Sequence, residues 1–521
     1  MNEKNDITVD NDLTPKSYWL DSTSETNYPT LDKDINVDIV IIGGGITGIT
    51  AALLLKKEGF KVALIEAEKI AQGTSGHTTA YITSQHDIIY SELIKNMGIK
   101  KAKQYADANE GAINFIENTV KEYNIDCDFC RLPAYIYTTD ENYMEIIKEE
   151  TKAAKSLGIK ANYVKKLELP FSIKAAICFE NQAQFHPRKY LLKLAEIIYG
   201  SDSQIYEHTR AVDIKHDKLY TVITDTGFKV TASKVILASH FPFYDGLGLY
   251  FARLRPERSY VITAKIKEEL PKGTFVDAGD TGWYFRMQKY RDSQMIIIGG
   301  QDHKTAHGGD MMEHYENLKK CAEQNFTVEK FLYRWSTQDY ITIDGVPYVG
   351  NLTSKSENIY VATGYGEWGM TNGTAAANIL RDIIIKKENP YQEVYNPSRH
   401  ILTEGIKNFI KENYDVAVEL IKGKLNDGQH NIDLNVDEGK IVELRGERYG
   451  AYRDKNGELH IVDITCTHIG CELKWNSAER SWDCPCHGSR FTFEGDIIEG
   501  PAVRKLNHYK EGKNIIDSKI I

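Results

Sequence analysis

Val37-Asp38-Ile39-Val40-Ile41-Ile42-Gly43-Gly44-Gly45-Ile46-Thr47-Gly48 is the stretch on which the reading of this chain turns. Its first half is β-branched and uncharged after Asp38, the pattern of a strand covered on both faces. A helix is predicted from about Ile46 to Glu58, with Ala51, Ala52, Leu54 and Leu55 on its inner side and Gly59 stopping it. Lys61–Glu66 follows as a second buried strand, and a right-handed crossover makes the two strands parallel. The glycines between strand and helix form a Gly-x-Gly-x-x-Gly turn. Gly43 permits the tight turn, Gly45 lets the backbone approach a pyrophosphate, and Gly48 lets helix and strand pack closely. The free N–H groups of the first helical turn, at Ile46 and Thr47, then face the phosphates at the positive end of the helix dipole. Glu66, ending the second strand, is placed to accept hydrogen bonds from ribose hydroxyls and to repel a 2′-phosphate. A dinucleotide site is expected.

With 521 residues the chain exceeds what one ordinary core organises. Its 41% apolar and 26% charged residues describe a globular protein. Net charge is −10 and no basic block stands out, which argues against nucleic acid or anionic lipid as the main partner. Met1–Thr30 is polar and acidic, without the apolar or Arg-rich stretch of a targeting peptide. Runs such as Ile39–Ile42 and Ile383–Ile385 are too short to span a bilayer. A cytoplasmic protein without an integral membrane segment is expected.

Residues 1–36 read as an N-terminal extension and 37–388 as the main unit. Within it, Asp87–Gly200 reads as mostly helical, broken by a strand near Ala134–Thr139. Strands are expected at Ala211–His216, Tyr220–Thr224 and Lys234–Ser239, a Tyr- and Arg-rich sheet over Arg253–Gly300, and strands at Thr342–Asn351 and Asn358–Gly364 before a helix from Thr371 to Lys387. A helical connector covers 389–429. Short strands separated by turns at Lys455-Asn456-Gly457 and Glu494-Gly495-Asp496 make 430–521 a small all-β domain.

Beyond the glycine turn, further segments resemble the D-amino-acid oxidase-like family of FAD-dependent oxidoreductases. These are Gln72–Ala80 (QGTSGHTTA), Val235–Ser239 (VILAS), Asp344–Gly350 (DGVPYVG) and Ala362–Thr371 (ATGYGEWGMT). The resemblance covers about Val37 to Lys387. It implies an α/β fold: a Rossmann-like FAD-binding domain interleaved with an α+β substrate domain. FAD fits better than NAD, which does not need the later segments. It implies cofactor contacts from Thr74, Ser75, His77 and Thr78, and from Gly364, Gly366, Gly369, Met370 and Thr371 at the closing loop. Some relatives attach FAD covalently through a histidine in the segment that holds His77, although here Gly76 precedes it where those relatives carry a bulky residue. The alternative is a histidine that hydrogen-bonds the cofactor or packs. Arg253, Arg255, Arg258, Tyr260, Tyr284 and Arg286 lie where relatives build the substrate wall; an arginine there could clasp a carboxylate, the alternative being that such residues simply form solvated sheet faces. His186, before Pro187, could face the flavin or cap the next helix. Tyr365 and Trp368 are expected near the flavin ring. No catalytic residue follows from spacing.

Four of the eight cysteines crowd into one segment, which favours a metal over a disulfide framework. Cys466-Thr467-His468 and Cys484-Pro485-Cys486-His487 form a C-x-H and C-x-x-H pair. Two thiolates on one iron and two imidazoles on the other need this alternation on facing loops, while Zn²⁺ also accepts a Cys₂His₂ set. The segment from about His430 to Ile521 resembles the Rieske family. That implies a [2Fe–2S] cluster on Cys466, His468, Cys484 and His487, and a disulfide between Cys471 and Cys486, which a reducing cytosol would oppose. Ser489 matches a serine that hydrogen-bonds a bridging sulfide. Phe491 stands where high-potential members carry a tyrosine, so a potential below the top of the range of about −150 to +300 mV is expected. Cys127-Asp128-Phe129-Cys130 is a C-x-x-C without a thioredoxin context, and a structural role is expected.

Together these readings imply an oxidoreductase that moves a hydride from a small amine, amino acid or hydroxy compound to flavin, with electrons passed singly to the cluster. An electron-carrier protein or a quinone is the expected redox partner. Two alternatives stand beside it: an oxidase reoxidised by O₂ with the Rieske domain as a sensor, and an electron-transfer protein feeding flavin from a partner.

Overall fold

The computed structural model describes residues 15–200, 202–245, 247–279, 282–399, 403–422, 433–444 and 446–510. Residues 1–14 of the expected extension, 423–432 at the end of the connector and the tail 511–521 lie outside the described residues.

The β-branched strand Ile35–Ile42 lies in the middle of an eight-stranded sheet. Lys229–Leu237 and Val62–Ile65 flank it in parallel, with Ile359–Thr363 and Gln204–Tyr206 parallel outside them. Helix Ile46–Lys57 buries residues on every side, from Ile46 to Leu55. It is packed between helices Gly369–Ile384 and Pro187–Ile198 as well as against the sheet, so its apolar residues follow no single face.

A second sheet of nine strands runs in the order Val328–Thr342, Leu254–Ile266, Ser293–Lys304, Tyr284–Tyr290, Thr274–Asp277, Cys130–Thr138, Ala175–Gln184 and Tyr81–Ile82, with Ala161–Val164 paired to Ala175–Gln184. The chain passes between the two sheets repeatedly, which makes this an interleaved α/β and α+β architecture. The segment read as mostly helical holds more strand than its pattern suggested. Ala161–Val164 and Ala175–Gln184 are strands, and Gly98 kinks the long helix Tyr90–Glu122.

The C-terminal part is all-β, with two antiparallel four-stranded sheets. Trp482, Phe491, Val462 and Leu473 form its core together with the clustered cysteines. Helix Thr403–Lys422 ties the two parts together. Its Asn408 and Asn413 donate to the carbonyls of Ile343 and Ala252, while Val416 and Leu420 pack on the C-terminal core. Among the described residues no helix is long and apolar enough to cross a membrane.

Candidate redox site

The glycine turn opens a cleft of about 870 Å³. Gly43, with φ +114°, lies so near the next strand that a Cβ would meet the Ala238 carbonyl oxygen at 2.3 Å. A Cβ on Gly48 would fall 1.9 Å from the Gly43 oxygen, so only glycine lets helix and turn close. The Ile46 N–H, expected to be free for the phosphates, donates instead to Ser75 Oγ at 3.0 Å, fixing the Thr74–Gly76 turn over the helix end. Glu66 accepts from the N–H groups of Gly44 at 2.7 Å and Glu68 at 3.0 Å, and burial pushes its carboxyl above the ordinary range.

Gly43, Gly45, Ile46, Thr47, Glu66, Thr74, Ser75, His77 and Thr78 all line this cleft, whereas Gly48 packs behind it. Gly369 and Met370 line it from the closing segment, as do Tyr365, whose hydroxyl meets Thr47 Oγ1 at 2.7 Å, and Glu367. Gly364 and Gly366 shape the turn, and the Thr371 hydroxyl points away to the Thr83 carbonyl. His77 Nδ1 is tied to the Gly73 carbonyl at 3.0 Å. The segment is held from outside by Ser17 on the Gly76 carbonyl and Trp19 on that of Thr78, a part played by the N-terminal extension that no motif announced. A long groove, a glycine floor at a helix N-terminus and a carboxylate at one end suit a dinucleotide.

An inner cavity of about 390 Å³ continues from the cleft, sharing Thr74, Thr78, Thr337, Asp339 and Glu367 with it. Tyr81, Tyr284 and Trp368 supply aromatic walls, and Asp87, Asp302 and Asp277 join Glu367 as acids. Burial, then the charges of Glu257 and Asp87, raises the Asp302 carboxyl. Burial also pushes Asp87 up to about 6 and raises Glu367 strongly, with Asp302 adding to the latter.

The cluster loops lie at the other side of the cleft. Cys466 and Cys484 are both buried, neither is in a disulfide, and their side chains lie within hydrogen-bond reach of one another. The His468 and His487 rings lie 5.1 Å apart. His468 Nδ1 and both nitrogens of His487 are buried without a hydrogen-bond partner, which is costly unless something else binds them. Two thiols and two unsatisfied imidazoles facing one another fit a mixed thiolate–imidazole cluster. Cys471 and Cys486 form a disulfide joining the two loops. Phe491 is fully buried in the core and brings no hydroxyl to the site.

These loops are seated on the flavin side of the molecule. Gln338 donates through Nε2 to the Gly488 carbonyl at 2.9 Å, while its own carbonyl accepts from Thr74 Oγ1 in the cleft at 2.9 Å. The Tyr340 hydroxyl reaches the carbonyls of His487 and Gly500 at 3.3 and 3.1 Å. Phe241 lines the cleft and sets its ring 6.2 Å from that of His468. Gly488, at φ +76°, comes so close that a Cβ would meet Pro256 at 2.6 Å. Around this contact runs a buried ionic network. Arg258 lies 3.6 Å from Glu479 and 3.7 Å from Glu499, and Arg490 pairs with Asp483 at 3.0 Å and Glu499 at 3.2 Å. Burial works against ionisation of Glu479 and Asp483, yet Arg258 and Arg490 hold both carboxyls below their ordinary range.

The arginines expected at a substrate wall are elsewhere. Strand alternation turns Arg258 toward the C-terminal part, where it is fully buried. Arg253 binds the carbonyls of Pro397 and Gly248, Arg255 pairs with Glu257, and Arg286 holds the Thr79 and Phe185 carbonyls. Tyr260 hydrogen-bonds His303 and stacks on His314. Of that set only Tyr284 reaches the inner cavity. His186 caps its helix, accepting from the Lys189 N–H at 3.3 Å. Cys127 and Cys130 are unbridged, and burial pushes the Cys127 thiol up to about 12, which suits packing rather than redox chemistry. Asp87, Asp277, Asp302, Gln338, Tyr340 and Phe241 carried no sequence motif, whereas Glu367 falls within the Ala362–Thr371 segment.

A nucleotide cleft with an inner cavity on one side and a two-thiol, two-imidazole cage on the other marks a flavin oxidoreductase joined to an iron–sulfur site. Residues 38–383 match the model of the FAD-dependent oxidoreductase family named DAO and residues 429–510 that of the Rieske [2Fe-2S] domain, so the chain belongs to that oxidoreductase family and carries a C-terminal Rieske domain. Its cofactors are accordingly FAD and a [2Fe–2S] cluster. It is 45% identical over 494 residues, 94% of this chain and 97% of the other, to "Putative Rieske 2Fe-2S iron-sulfur protein YhfW" of Bacillus subtilis (strain 168). Gamma-glutamylputrescine oxidoreductase of Escherichia coli (strain K12) is 25% identical over 384 residues, covering 71% of this chain and 88% of that one. The crystal structure of glycine oxidase from Geobacillus kaustophilus superposes with a TM-score of 0.60 at 18% identity, covering 70% of this chain and all of that one, a likeness of fold.

Proposed function

We propose that this protein is a dehydrogenase of a small amine, amino acid or hydroxy compound whose electrons leave one at a time through the Rieske cluster. The onward acceptor is a quinone or an electron-carrier protein, and the setting is the cytoplasm. Bound FAD supplies the hydride-accepting chemistry. Gly43, Gly45, Ile46, Thr47 and Glu66 hold its pyrophosphate and ribose, Thr74, Ser75, His77 and Thr78 pass along it, and Gly369 and Met370 close over its far end. Cys466 and Cys484 ligate one iron, and His468 and His487 the other. In this reaction the substrate loses a hydride and a proton, and the two electrons depart in single steps.

The observation that carries this reading is the span of Gln338. One residue touches Thr74 in the cleft with its backbone and the carbonyl of Gly488, beside the ligand His487, with its side chain. The Cys/His loops thus lie within a residue's reach of the cleft, which supports passage of electrons between the two, an arrangement a sensor or appendage does not need. Anaerobic reduction by substrate, followed by flavin absorbance and iron–sulfur EPR together, tests it. Cluster reduction that follows flavin bleaching is expected. A bleached flavin beside a cluster that stays oxidised, with H₂O₂ accumulating in air, would establish an oxidase instead.

A further inference from the structure

The inner cavity carries a chemical preference that the cofactor motifs do not dictate. Asp87, Asp277, Asp302 and Glu367 line it, and among the described residues its lining includes no lysine, arginine or histidine. No cationic side chain in the lining answers a substrate carboxylate. Arg286 stands behind the wall, held on the Thr79 and Phe185 carbonyls, and the other arginines of this region are held on carbonyls, on Glu257 or in the interface network. The aromatic walls make the cavity more selective still. Tyr81 and Tyr284 lie edge to face at 6.1 Å, and Tyr81 and Trp368 are 6.4 Å apart. Faces of this kind attract ammonium groups and disfavour anions. Independently of the acids, Tyr81 is only 7% exposed, lines the cavity, and has a hydroxyl without a hydrogen-bond partner. A buried hydroxyl of that kind, aimed into the cavity, is available to an amine nitrogen.

Resting on the dehydrogenase reading, we infer that the substrate is an aliphatic di- or polyamine without a carboxylate, held by Asp87, Asp302 and Glu367 between the rings of Tyr81, Tyr284 and Trp368. Several acids crowded into a space of about 390 Å³ cannot all ionise without repelling one another, and one positive charge offsets only part of that repulsion. A ligand with two or more ammonium groups relieves it better. One ammonium group stays on the outer carboxylates while the amine to be oxidised sits toward the cleft, where Glu367 and Thr78 belong to both spaces. For oxidation that nitrogen first gives a proton to a cavity carboxylate. The C–H bond on the adjacent carbon then breaks, its hydrogen and electron pair going to bound FAD as hydride, and a C=N bond forms. Glu367, which lines both spaces and whose carboxyl is raised by burial and by Asp302, is placed to take up that proton.

The test uses the FAD- and cluster-loaded protein under anaerobic conditions. Butane-1,4-diamine and spermidine are compared with glycine, D- and L-alanine, L-proline and glycerol 3-phosphate by the rate of flavin bleaching. A kcat/KM for the diamine at least 100-fold above every carboxylate-bearing compound is expected. Asp302→Asn and Asp87→Asn, each near-isosteric, should raise KM for the diamine at least ten-fold more than they lower kcat, with flavin content unchanged. A preparation in which an amino acid outruns the diamines overturns the inference, as does an unchanged KM in both variants. The dehydrogenase reading fails separately, when no compound bleaches the flavin. In that event the diamine's perturbation of the oxidised flavin spectrum decides the cavity's preference. Saturable binding weakened by Asp302→Asn upholds it, and no binding sinks it.

Discussion

Replacing Arg258 by alanine should loosen the iron–sulfur part from the flavin part without touching either cofactor. Arg258 lies on strand Leu254–Ile266 and crosses to Glu479 at 3.6 Å and Glu499 at 3.7 Å, with only 1% of its side chain exposed. Removing one partner from a buried charge pair costs about 3–5 kcal/mol, because the other is left uncompensated. Here Arg490 remains 3.8 Å from Glu479 and 3.2 Å from Glu499, so the lower end applies. A loss of about 3 kcal/mol is roughly a hundred-fold in the docking equilibrium. The assay is flash photoreduction of the flavin in the anaerobic holoprotein, which needs no substrate, with cluster reduction followed afterwards. Transfer to the cluster should slow at least ten-fold and become multiphasic, while flavin and iron contents hold. Limited proteolysis within the connector should accelerate in parallel. Wild-type transfer kinetics and wild-type protease resistance together would refute the reasoning. Glu479→Gln, alone and combined with Arg258→Ala, should show non-additive losses, since the two groups share one network.

Gly48→Ala places a Cβ 1.9 Å from a backbone oxygen with no flexible atom to yield, so the purified variant should hold under a tenth of the wild-type FAD by absorbance while keeping its Rieske EPR signal. Cys484→Ala should do the reverse, abolishing the iron–sulfur signal and sparing the flavin. Diamine affinity should tighten as pH rises from about 5 to 7.5. Asp87, pushed up to about 6 chiefly by burial, and Asp302 and Glu367, also raised, are protonated in the empty cavity at the acid end and must lose those protons to hold a cation. Stability of the empty protein runs the opposite way: a folded state that keeps protons its unfolded chain has released loses stability as pH rises through the raised values. Because binding tightens over the same range, the thermal shift given by diamine should be larger at pH 8 than at pH 5.5.

What could be read from the sequence was local. The Gly43–Gly48 turn and the Cys466/His468 and Cys484/His487 pairs each compress their chemistry into a few consecutive residues, and the structure brings each group together. The inner cavity is different in kind. Asp87 sits in a loop at positive φ, Asp302 on a strand, Glu367 in the closing turn and Tyr81 on an edge strand, so no spacing links them. The arginine expectation failed for a related reason. Composition marks Arg253–Arg286 as rich in cations, but which face each presents depends on strand register and on a partner domain more than 200 residues away, as Arg258 and Glu479 show. Strand Ala175–Gln184 escaped notice because a short apolar run inside a helical region has no period of its own.

Gly488 has a bearing on how fast this protein can work. A carrier on a swinging tether spends its turnover searching, and its throughput falls as the medium thickens. Where a missing side chain lets the Gly488 carbonyl rest against Gln338, the proposed electron route crosses a fixed gap, and viscogens should leave that internal step untouched. The burden of travel then passes to whatever relieves the cluster. It has to arrive at a stationary edge, and of the two imidazoles His468 is the one left partly open, His487 being sealed at 1% exposure.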